Sequence, residues 1–394
     1  MKKSLLALAV LGAFAGAAQA QSSVTIYGIV DTGIAYSSKV VNAAGTGTVS
    51  KFEVKSGVIQ GSRLGFKGVE DLGGGLSAIF NLEAGFNNDV GTSGQGGALF
   101  GRKSVVGLSG GFGTVLLGRQ TDFADTISAY TSVGDFGGIT GNVGHNLDRL
   151  EGFRSNNSIS YTTANLNGFT GNLFYGFGEQ AGQTSAGQAF GAGLKYDNGP
   201  LGLGAAYYQS KAGTTPADTT LGAVGATSNN NGASAIKAFN LVASYQFGPA
   251  RVYGNWSRVK QPLATAAAVP TQLVTNAAAA GTITSYSNAY AIGGVNNDKT
   301  DTFELGTAYS LSPSLKLLAA VDHSRINYVG DSRKGKLTQI SLGADYWLSK
   351  RTDLYAFVAN LRATDTVNPG IIGTNTTGND NSQTAVAVGV RHKF

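Results

Sequence analysis

Apolar and polar residues alternate with a period of two along most of this chain. In residues 76–86 every even position is apolar, whereas the odd positions include Ser77, Asn81 and Glu83. The same alternation recurs in residues 239–247 and 338–346. Because consecutive side chains of a strand point to opposite faces, each segment is predicted to be a strand with one apolar and one polar face.

Alternation alone also fits a soluble sandwich that has one solvated face on each sheet. The predicted strands span roughly 9–14 residues, close to the length that a tilted membrane strand requires. Glycines and isolated charges occupy the polar face, which suits a wet lumen better than a packed core. Aromatic residues cluster beside the turns, as in an interfacial girdle: Tyr161, Tyr196, Phe247, Tyr309 and Trp347. The pattern therefore favours a transmembrane barrel.

Short turn signals rich in Gly, Asn, Ser and Pro divide the chain into hairpins. A first strand near residues 24–36 and a last near 384–394 bring the total to sixteen strands. Longer polar segments separate the hairpins at 211–234, 261–298 and 366–381. The predicted fold is all-β, a 16-stranded antiparallel transmembrane β-barrel, and that strand number encloses an aqueous channel. The seven turns lie at 71–74, 110–113, 165–168, 198–200, 248–250, 312–314 and 349–351.

One long connection, residues 121–153, is unusually acidic. A short helix is expected within residues 121–130 and a sharp reversal at 134–138. Loops of this length in a compact fold usually serve a function. Folded inward, the segment would narrow the lumen with its charged residues Asp122, Asp125, Asp135, Asp148, Arg149 and Glu151.

The first twenty residues have the features of a secretory signal peptide. Lys2 and Lys3 precede an apolar run that is too short to span a membrane, and residues 18–20 give a small-x-small cleavage pattern. Residues 21–394 are then expected to form a single barrel domain in the outer membrane. Cysteine is absent, and no Lys/Arg run of the kind that binds nucleic acid occurs.

Catalysis is the main alternative from another functional class, and the chain offers little for it. Its three histidines are His145, His323 and His392. In Asp322-His323-Ser324 the neighbours point to opposite faces of a strand, so they cannot form one site. We therefore expect no catalytic residues, no metal site and no cofactor.

Four segments in order resemble a known family. Residues 23–31 (SVTIYGIVD) and 62–68 (SRLGFKG) are similar to the first two strands of the general porins of Gram-negative bacteria. Residues 113–120 resemble the strand before their constriction loop, and 388–394 their closing strand with its terminal Phe394. Among these porins, the anion-preferring porins of beta-proteobacteria are the most similar.

This resemblance implies a homotrimer whose third extracellular loop folds into each pore. By motif, the basic wall positions would be Arg63, Arg102 and Arg154, facing the loop acids Asp135 and Asp122. The family commonly has Pro-Glu at the loop reversal, where this chain has Gly134-Asp135.

Strand parity adds independently that Arg63 and Lys67 face the lumen, because Leu64 and Phe66 would face lipid. Of Arg102 and Lys103, only one is expected to point inward.

The expected function is passive diffusion of small hydrophilic solutes and ions through an outer-membrane pore, with weak anion selectivity. The expected surroundings are outer-membrane lipid and lipopolysaccharide, and no nucleic acid. The sequence leaves open which solutes are preferred, and whether the long loops also serve as an adhesin or receptor.

Overall fold

The computed structural model describes residues 23–42, 47–137, 146–179, 181–182, 184–185, 187–211, 236–260, 297–328, 331–366, 368–372 and 380–394. The predicted signal peptide lies outside these residues.

The described residues contain eighteen strands in chain order. They are β1 (Ser23–Val41), β2 (Thr48–Ser56), β3 (Arg63–Gly73), β4 (Leu76–Asn87), β5 (Thr92–Ser93), β6 (Lys103–Gly110), β7 (Gly113–Thr121), β8 (Arg154–Thr162), β9 (Phe169–Gly176), β10 (Ala189–Asn198), β11 (Leu201–Ser210), β12 (Ile236–Phe247), β13 (Ala250–Lys260), β14 (Asn297–Ser312), β15 (Leu315–Tyr328), β16 (Asp331–Trp347), β17 (Thr352–Thr364) and β18 (Ser382–Lys393).

These segments form a closed antiparallel barrel that has sixteen strands around its circumference. β2 and β3 pair with the two halves of β1, so they are parts of one barrel strand interrupted at residues 57–62. The two-residue β5 pairs only with the end of β4. β1 also pairs with β18 and closes the cylinder, which leaves no unpaired edge. The prediction of a sixteen-stranded antiparallel barrel is confirmed.

All seven predicted tight turns join consecutive strands at one rim. The turn between β12 and β13, for example, consists of Gly248 and Pro249, and Gly248 has φ +54°, a conformation that glycine adopts without strain. The strand ends that the long connections join lie at the opposite rim, and short turns at one rim with long loops at the other are typical of outer-membrane barrels.

Side-chain burial follows the predicted alternation. On β1, Ile26 and Ile34 point outward and are exposed, whereas Asp31 and Ala35 point inward and are buried. At the closure, the Phe394 N–H donates to the Gly28 carbonyl and the Gly28 N–H donates to the Phe394 carbonyl, both at 3.1 Å.

The acidic connection contains two short helices, α1 (Ala124–Ile127) and α2 (Ser132–Phe136), joined by a 3₁₀ turn at Ser128–Tyr130. Of the expected reversal at 134–138, Gly134 lies within α2 and Gly137, at φ +67°, ends that helix, whereas residue 138 lies outside the described residues. A second 3₁₀ turn, Gln95–Gly97, follows β5. Within the described residues, none of the helices is long and apolar enough to cross a membrane.

Candidate pore constriction

The acidic connection, called here the constriction loop (residues 121–153), packs against the inner wall of the barrel. Its apolar side chains rest on inward-facing glycines of the wall strands, where a Cβ atom would lie too close to them. Phe123 rests on Gly193, Ile127 on Gly204, Tyr130 on Gly202 and Phe136 on Gly343, with closest approaches to a built Cβ of 2.0–2.7 Å. Because glycine lets a neighbour approach the backbone closely, these positions seat the loop along β10, β11 and β16.

Hydrogen bonds also attach the same loop to β13 and β14, which lie between the glycine contacts on β11 and β16. The Ser132 N–H donates to the Glu304 carboxylate at 2.8 Å. Arg251 donates to the Ala129 carbonyl at 2.5 Å. The constriction loop is therefore attached to the wall by both packing and polar contacts.

Asp135 does not face the wall arginines that the resemblance assigned to it. Its carboxylate lies 3.5 Å from Arg251 Nη1 on β13 and 3.2 Å from Lys316 Nζ on β15. Only 7% of its side chain is exposed. The loop lies flat against that part of the wall, so the local cations Arg251 and Lys316 neutralise this acid.

Asp122 does not line the lumen either. Its carboxylate pairs with Arg149 Nη2 at 2.6 Å and accepts the backbone N–H groups of Phe153 and Ala124 at 3.0 Å. The Arg149 guanidinium is fully buried and stacks 3.6 Å from the centre of the Tyr208 ring on β11. The acid that the sequence assigned to the pore thus ties the two ends of the constriction loop together.

Arg63 and Arg102 meet at a shared acid, Glu83 on β4. Arg102 Nε lies 2.7 Å from the Glu83 carboxylate, and Arg63 Nη1 lies 4.0 Å from it. The expected choice between Arg102 and Lys103 does not arise, because Arg102 precedes β6 and alternation does not constrain it. Lys103 stands directly opposite Glu83 in the strand register, so it shares the inward parity.

Arg154 extends this basic group across the gap to the loop. It is the first residue of β8, and it lies close enough to Arg63, Arg119 and Asp125 to interact with them electrostatically. Asp125 is exposed on α1 and also interacts with Arg102. The loop acid beside the basic wall is therefore Asp125, rather than Asp122 or Asp135.

Lys67 stands two lumen-facing positions from Arg63 along β3. It is exposed, and its ammonium lies 5.5 Å from the centre of the Tyr27 ring. The Tyr27 hydroxyl donates to Glu83 at 2.9 Å. Lys67 thus extends the basic surface toward the rim of short turns.

The break between β2 and β3 forms a second inward projection. The Asp31 carboxylate accepts the N–H groups of Ile59 at 3.0 Å and Gln60 at 2.6 Å, and it also accepts the Tyr355 hydroxyl at 2.6 Å. A Cβ on Gly137, at the end of α2, would overlap the Ile59 carbonyl. The constriction loop thus crosses the lumen from β7 and meets this projection.

Buried carboxyl groups lie behind the loop. Glu304 and Asp322 are cross-strand partners on β14 and β15, and both are buried. Burial, together with the nearby Glu304 and Glu151 carboxylates, raises the pKa of Asp148, on the loop above them, to about 7. In the described part of the chain, no group of three or more His, Cys, Asp or Glu side chains has the arrangement of a metal site.

The two histidines within the described residues, His323 and His392, do not form a site with a nucleophile or an acid. His323 bonds to Thr338 across neighbouring strands, and His392 bonds to Thr352, both at 2.9 Å. Asp322 is buried on the inward side of β15, opposite to the side that His323 occupies. His145 lies outside the described residues.

Sequence reasoning did not assign Glu83 and Asp31 to the site, and it named Asp125 only as one of several loop acids, without placing it beside the basic wall. Glu83 carried a signal, since it is a charge on the polar face of a predicted strand. Asp125 belongs to a loop whose docking no local pattern encodes, and Asp31 bonds to residues 28 and 29 positions away.

Comparison with known proteins agrees with the barrel and its inward loop, because the similar proteins are porins. The family model for Gram-negative porins matches residues 7–366. The chain is 33% identical to an outer membrane porin protein of Bordetella pertussis and 35% identical to outer membrane porin protein 32 of Delftia acidovorans, over the full length of each pair.

A solved structure described as an anion-selective porin from Comamonas acidovorans is similar at a TM-score of 0.66 and 29% identity. The alignment covers 95% of this chain and 100% of that one. With the closed barrel and the inward loop, these likenesses identify a passive channel of the outer membrane, and the chain belongs to the Gram-negative porin family.

Proposed function

We propose that this porin passes small hydrophilic solutes and ions with a weak preference for anions, and that its basic wall sets the preference. The observation that carries the proposal is a difference in exposure between the two signs of charge. Lys67 is exposed and Arg63 keeps 21% of its side chain accessible, whereas Asp135, Glu304 and Asp322 are all buried. Asp125 on the constriction loop is exposed as well, but a solute in transit still meets more positive charges (Lys67, Arg63, Arg102 and Arg154) than negative ones.

The charges also generate a field across the pore. Arg63, Arg102 and Arg154 stand on the wall, and Asp125 stands on the loop. Two unit charges about 10 Å apart interact by roughly 0.4 kcal/mol in bulk water, and several-fold more strongly where the walls exclude water. Such a field orients dipolar solutes, and the excess sign sets the ion preference.

Further support comes from the similar structure from Comamonas acidovorans, which is described as an anion-selective porin. We also propose a homotrimer, on the resemblance to the general porins, and a cleaved leader over residues 1–20. Transport is proposed to proceed without catalysis, since the described histidines bond to threonines rather than to a nucleophile or an acid.

The experiment replaces Arg63 and Arg102 by Glu and measures the reversal potential of the purified channel in a planar bilayer under a salt gradient. We expect the potential to shift toward cation preference, because two partly accessible positive charges of the basic wall become negative. The matched control is the double variant Lys350→Glu/Arg351→Glu, which makes the same charge change in an exposed turn outside the lumen.

An unchanged reversal potential in the wall variant, or an equal shift in the turn variant, would refute the role of the basic wall. If the purified wild-type protein produced no conductance steps in the bilayer, the proposal that it forms a channel would be refuted.

A further inference from the structure

The first barrel strand faces an interruption in its neighbour that is larger than an ordinary bulge. β1 pairs with β2 as far as Ser56 and with β3 from Arg63 onward. Residues 57–62 therefore face only residues 30–31 of β1, so six residues stand opposite two. A β-bulge usually adds one residue, and bulges beside functional sites serve to re-aim a side chain. We call residues 57–62 the inner projection.

One buried residue, Asp31 on β1, holds the inner projection at both ends and in the middle. The Gly57 N–H donates to the Asp31 carbonyl at 2.8 Å, and the Asp31 N–H donates to the Ser62 hydroxyl at 3.1 Å. Between these ends, the Asp31 carboxylate accepts the N–H groups of Ile59 and Gln60. Hydrogen bonds from N–H groups to a carboxylate are charge-assisted and therefore strong. The shape of the projection thus depends on a single side chain.

The apolar side chains of the inner projection point back toward the wall. Val58 and Ile59 are each only 2% exposed. A Val58 methyl group lies 3.1 Å from a Cβ built on Gly33 of β1, and the Ile59 carbonyl lies against Gly137 at the end of α2. Gly61, in contrast, is exposed. The projection therefore fills the space between the wall and the constriction loop, and it presents Gly61 on its uncovered side.

Gly61 brings the inner projection into contact with two arginines of the basic wall. Arg63 Nε donates to the Gly61 carbonyl at 2.9 Å. A Cβ built on Gly61 would lie 3.1 Å from Arg102 Nη1, so the Arg102 guanidinium rests against this glycine. A long side chain keeps one direction where packing and hydrogen bonds fix it. The projection therefore helps to set where these two positive charges lie.

We propose that the inner projection is a second constriction element of the pore, and that Asp31 is the positioning residue that holds it in place. The projection narrows the lumen beside the constriction loop, and its Gly61 carbonyl directs Arg63 toward passing solutes. Asp31 is fully buried, so it acts through the projection and not on the solute. The part of this inference that concerns ion preference rests on the proposed role of the basic wall, whereas the part that concerns pore width does not.

A thiol at Gly61 tests whether the projection narrows the pore. The chain has no cysteine, so Gly61→Cys gives the full-length purified porin a single reactive site. The protein is labelled with a negatively charged or a positively charged thiosulfonate reagent, labelling is verified by mass spectrometry, and single-channel conductance is measured in a planar bilayer. We expect both labels to lower the conductance, because both add bulk to the lumen wall.

The control for this labelling is Lys350→Cys, in an exposed turn outside the lumen, whose conductance should not change on labelling. A thiol at Gly61 that does not react, or a labelled Gly61→Cys channel with unchanged conductance, would overturn the second constriction element.

The reversal potential of Asp31→Asn in a salt gradient tests the positioning role. The amide offers one acceptor oxygen in place of two, so it cannot accept both the Tyr355 hydroxyl and the N–H groups of the projection as the carboxylate does. We expect the ratio of anion to cation permeability to fall about twofold, as when unit charges move by several Å in a wet lumen. Loss of a negative charge alone would raise this ratio. An unchanged or higher ratio would therefore overturn the positioning role.

Two further variants keep the test decisive if Asp31→Asn folds poorly. Ser62→Ala removes the bond at one end of the projection and leaves every charge in place, so the permeability ratio should again fall. Tyr355→Phe removes only the hydroxyl that donates to the other Asp31 oxygen at 2.6 Å, and it should lower the ratio less than Ser62→Ala does. Equal effects of the two variants, or no effect of Ser62→Ala, would contradict an action through the projection.

The outcomes separate this inference from the proposed function. If replacing Arg63 and Arg102 by Glu left the reversal potential unchanged, the proposed function would fail, and the conductance of labelled Gly61→Cys would still decide whether the projection narrows the pore. If that replacement shifted the potential but Asp31→Asn and Ser62→Ala did not, only the positioning role of Asp31 would be refuted.

Discussion

Arg149 is the clearest case in which one buried residue maintains the shape of the pore. Its guanidinium is fully buried between the rings of Phe153 and Tyr208 and pairs with Asp122. A buried charge that loses its partner is far more costly than an exposed one, because water cannot replace the lost contact. The Asp122–Arg149 pair therefore acts on the pore through the loop rather than on the solute.

We expect Arg149→Ala to destabilise the constriction loop by about 3–5 kcal/mol, because Asp122 would stay buried without its partner. Hydrogen exchange of the loop amides measures this local stability. The control is Lys39→Ala, which removes the exposed ion pair between Lys39 and Asp380 at 3.2 Å and should cost less than about 1 kcal/mol. Equal exchange rates in the two variants would contradict the structural role of Arg149.

Asp148 predicts a pH dependence of loop stability. Burial raises the pKa of its carboxyl to about 7, above the ordinary aspartate value of 3.8. The folded loop therefore favours the protonated acid: its stability is fully present below about pH 4 and declines as the pH rises through 7. Asp148→Asn, neutral at every pH, should remove this decline.

Thermal unfolding of wild type and Asp148→Asn between about pH 4 and 8.5 tests this expectation. The difference between the two melting temperatures should grow with rising pH and level off above about 7. A difference that stays constant across the range would show that Asp148 does not titrate within the folded loop.

At the scale of elements, the seating of the constriction loop depends on glycines that lie far from it in sequence. Phe136 of α2 packs on Gly343 of β16, and a built Cβ there would lie 2.3 Å from the ring. Alternation identified β16 as a strand, but it did not indicate why glycine occupies this inward position. The reason is visible only once the loop is docked.

We expect Gly343→Leu to push α2 off the wall toward the lumen and lower the single-channel conductance, because overpacking a tight contact costs about 1–3 kcal/mol and the loop can give way only inward. Conductance in a planar bilayer is the measurement. Gly254→Ala is the control, since the nearest atom to a Cβ at Gly254 lies 3.5 Å away, an ordinary contact distance. A variant at 343 with unchanged conductance would mean that Phe136 does not help to hold the loop across the pore.

At the scale of the whole molecule, the pore is a water-filled cylinder whose selectivity arises from exposed charges. Charges in water are screened over about 10 Å at 0.1 M salt and about 3 Å at 1 M salt. The anion preference should therefore weaken as the mean salt concentration rises at a constant concentration ratio. Reversal potentials measured at both concentrations test this, and a preference that does not change with salt would point to a steric filter instead.

The sequence by itself determined the barrel. The period-two alternation, the seven tight turns and the terminal Phe394 are local features, because strand parity and turn geometry depend on a few neighbouring residues. The inward direction of Arg63 and Lys67 followed from parity in the same way.

Only the tertiary structure decided how the charges are paired. Asp135 meets Lys316, 181 positions along the chain, and Asp122 meets Arg149 across the base of its own loop. Both pairings depend on where the closed cylinder places its wall and where glycines leave room for the loop. Closure brings together residues that are remote in sequence, and no local pattern records which of them will meet.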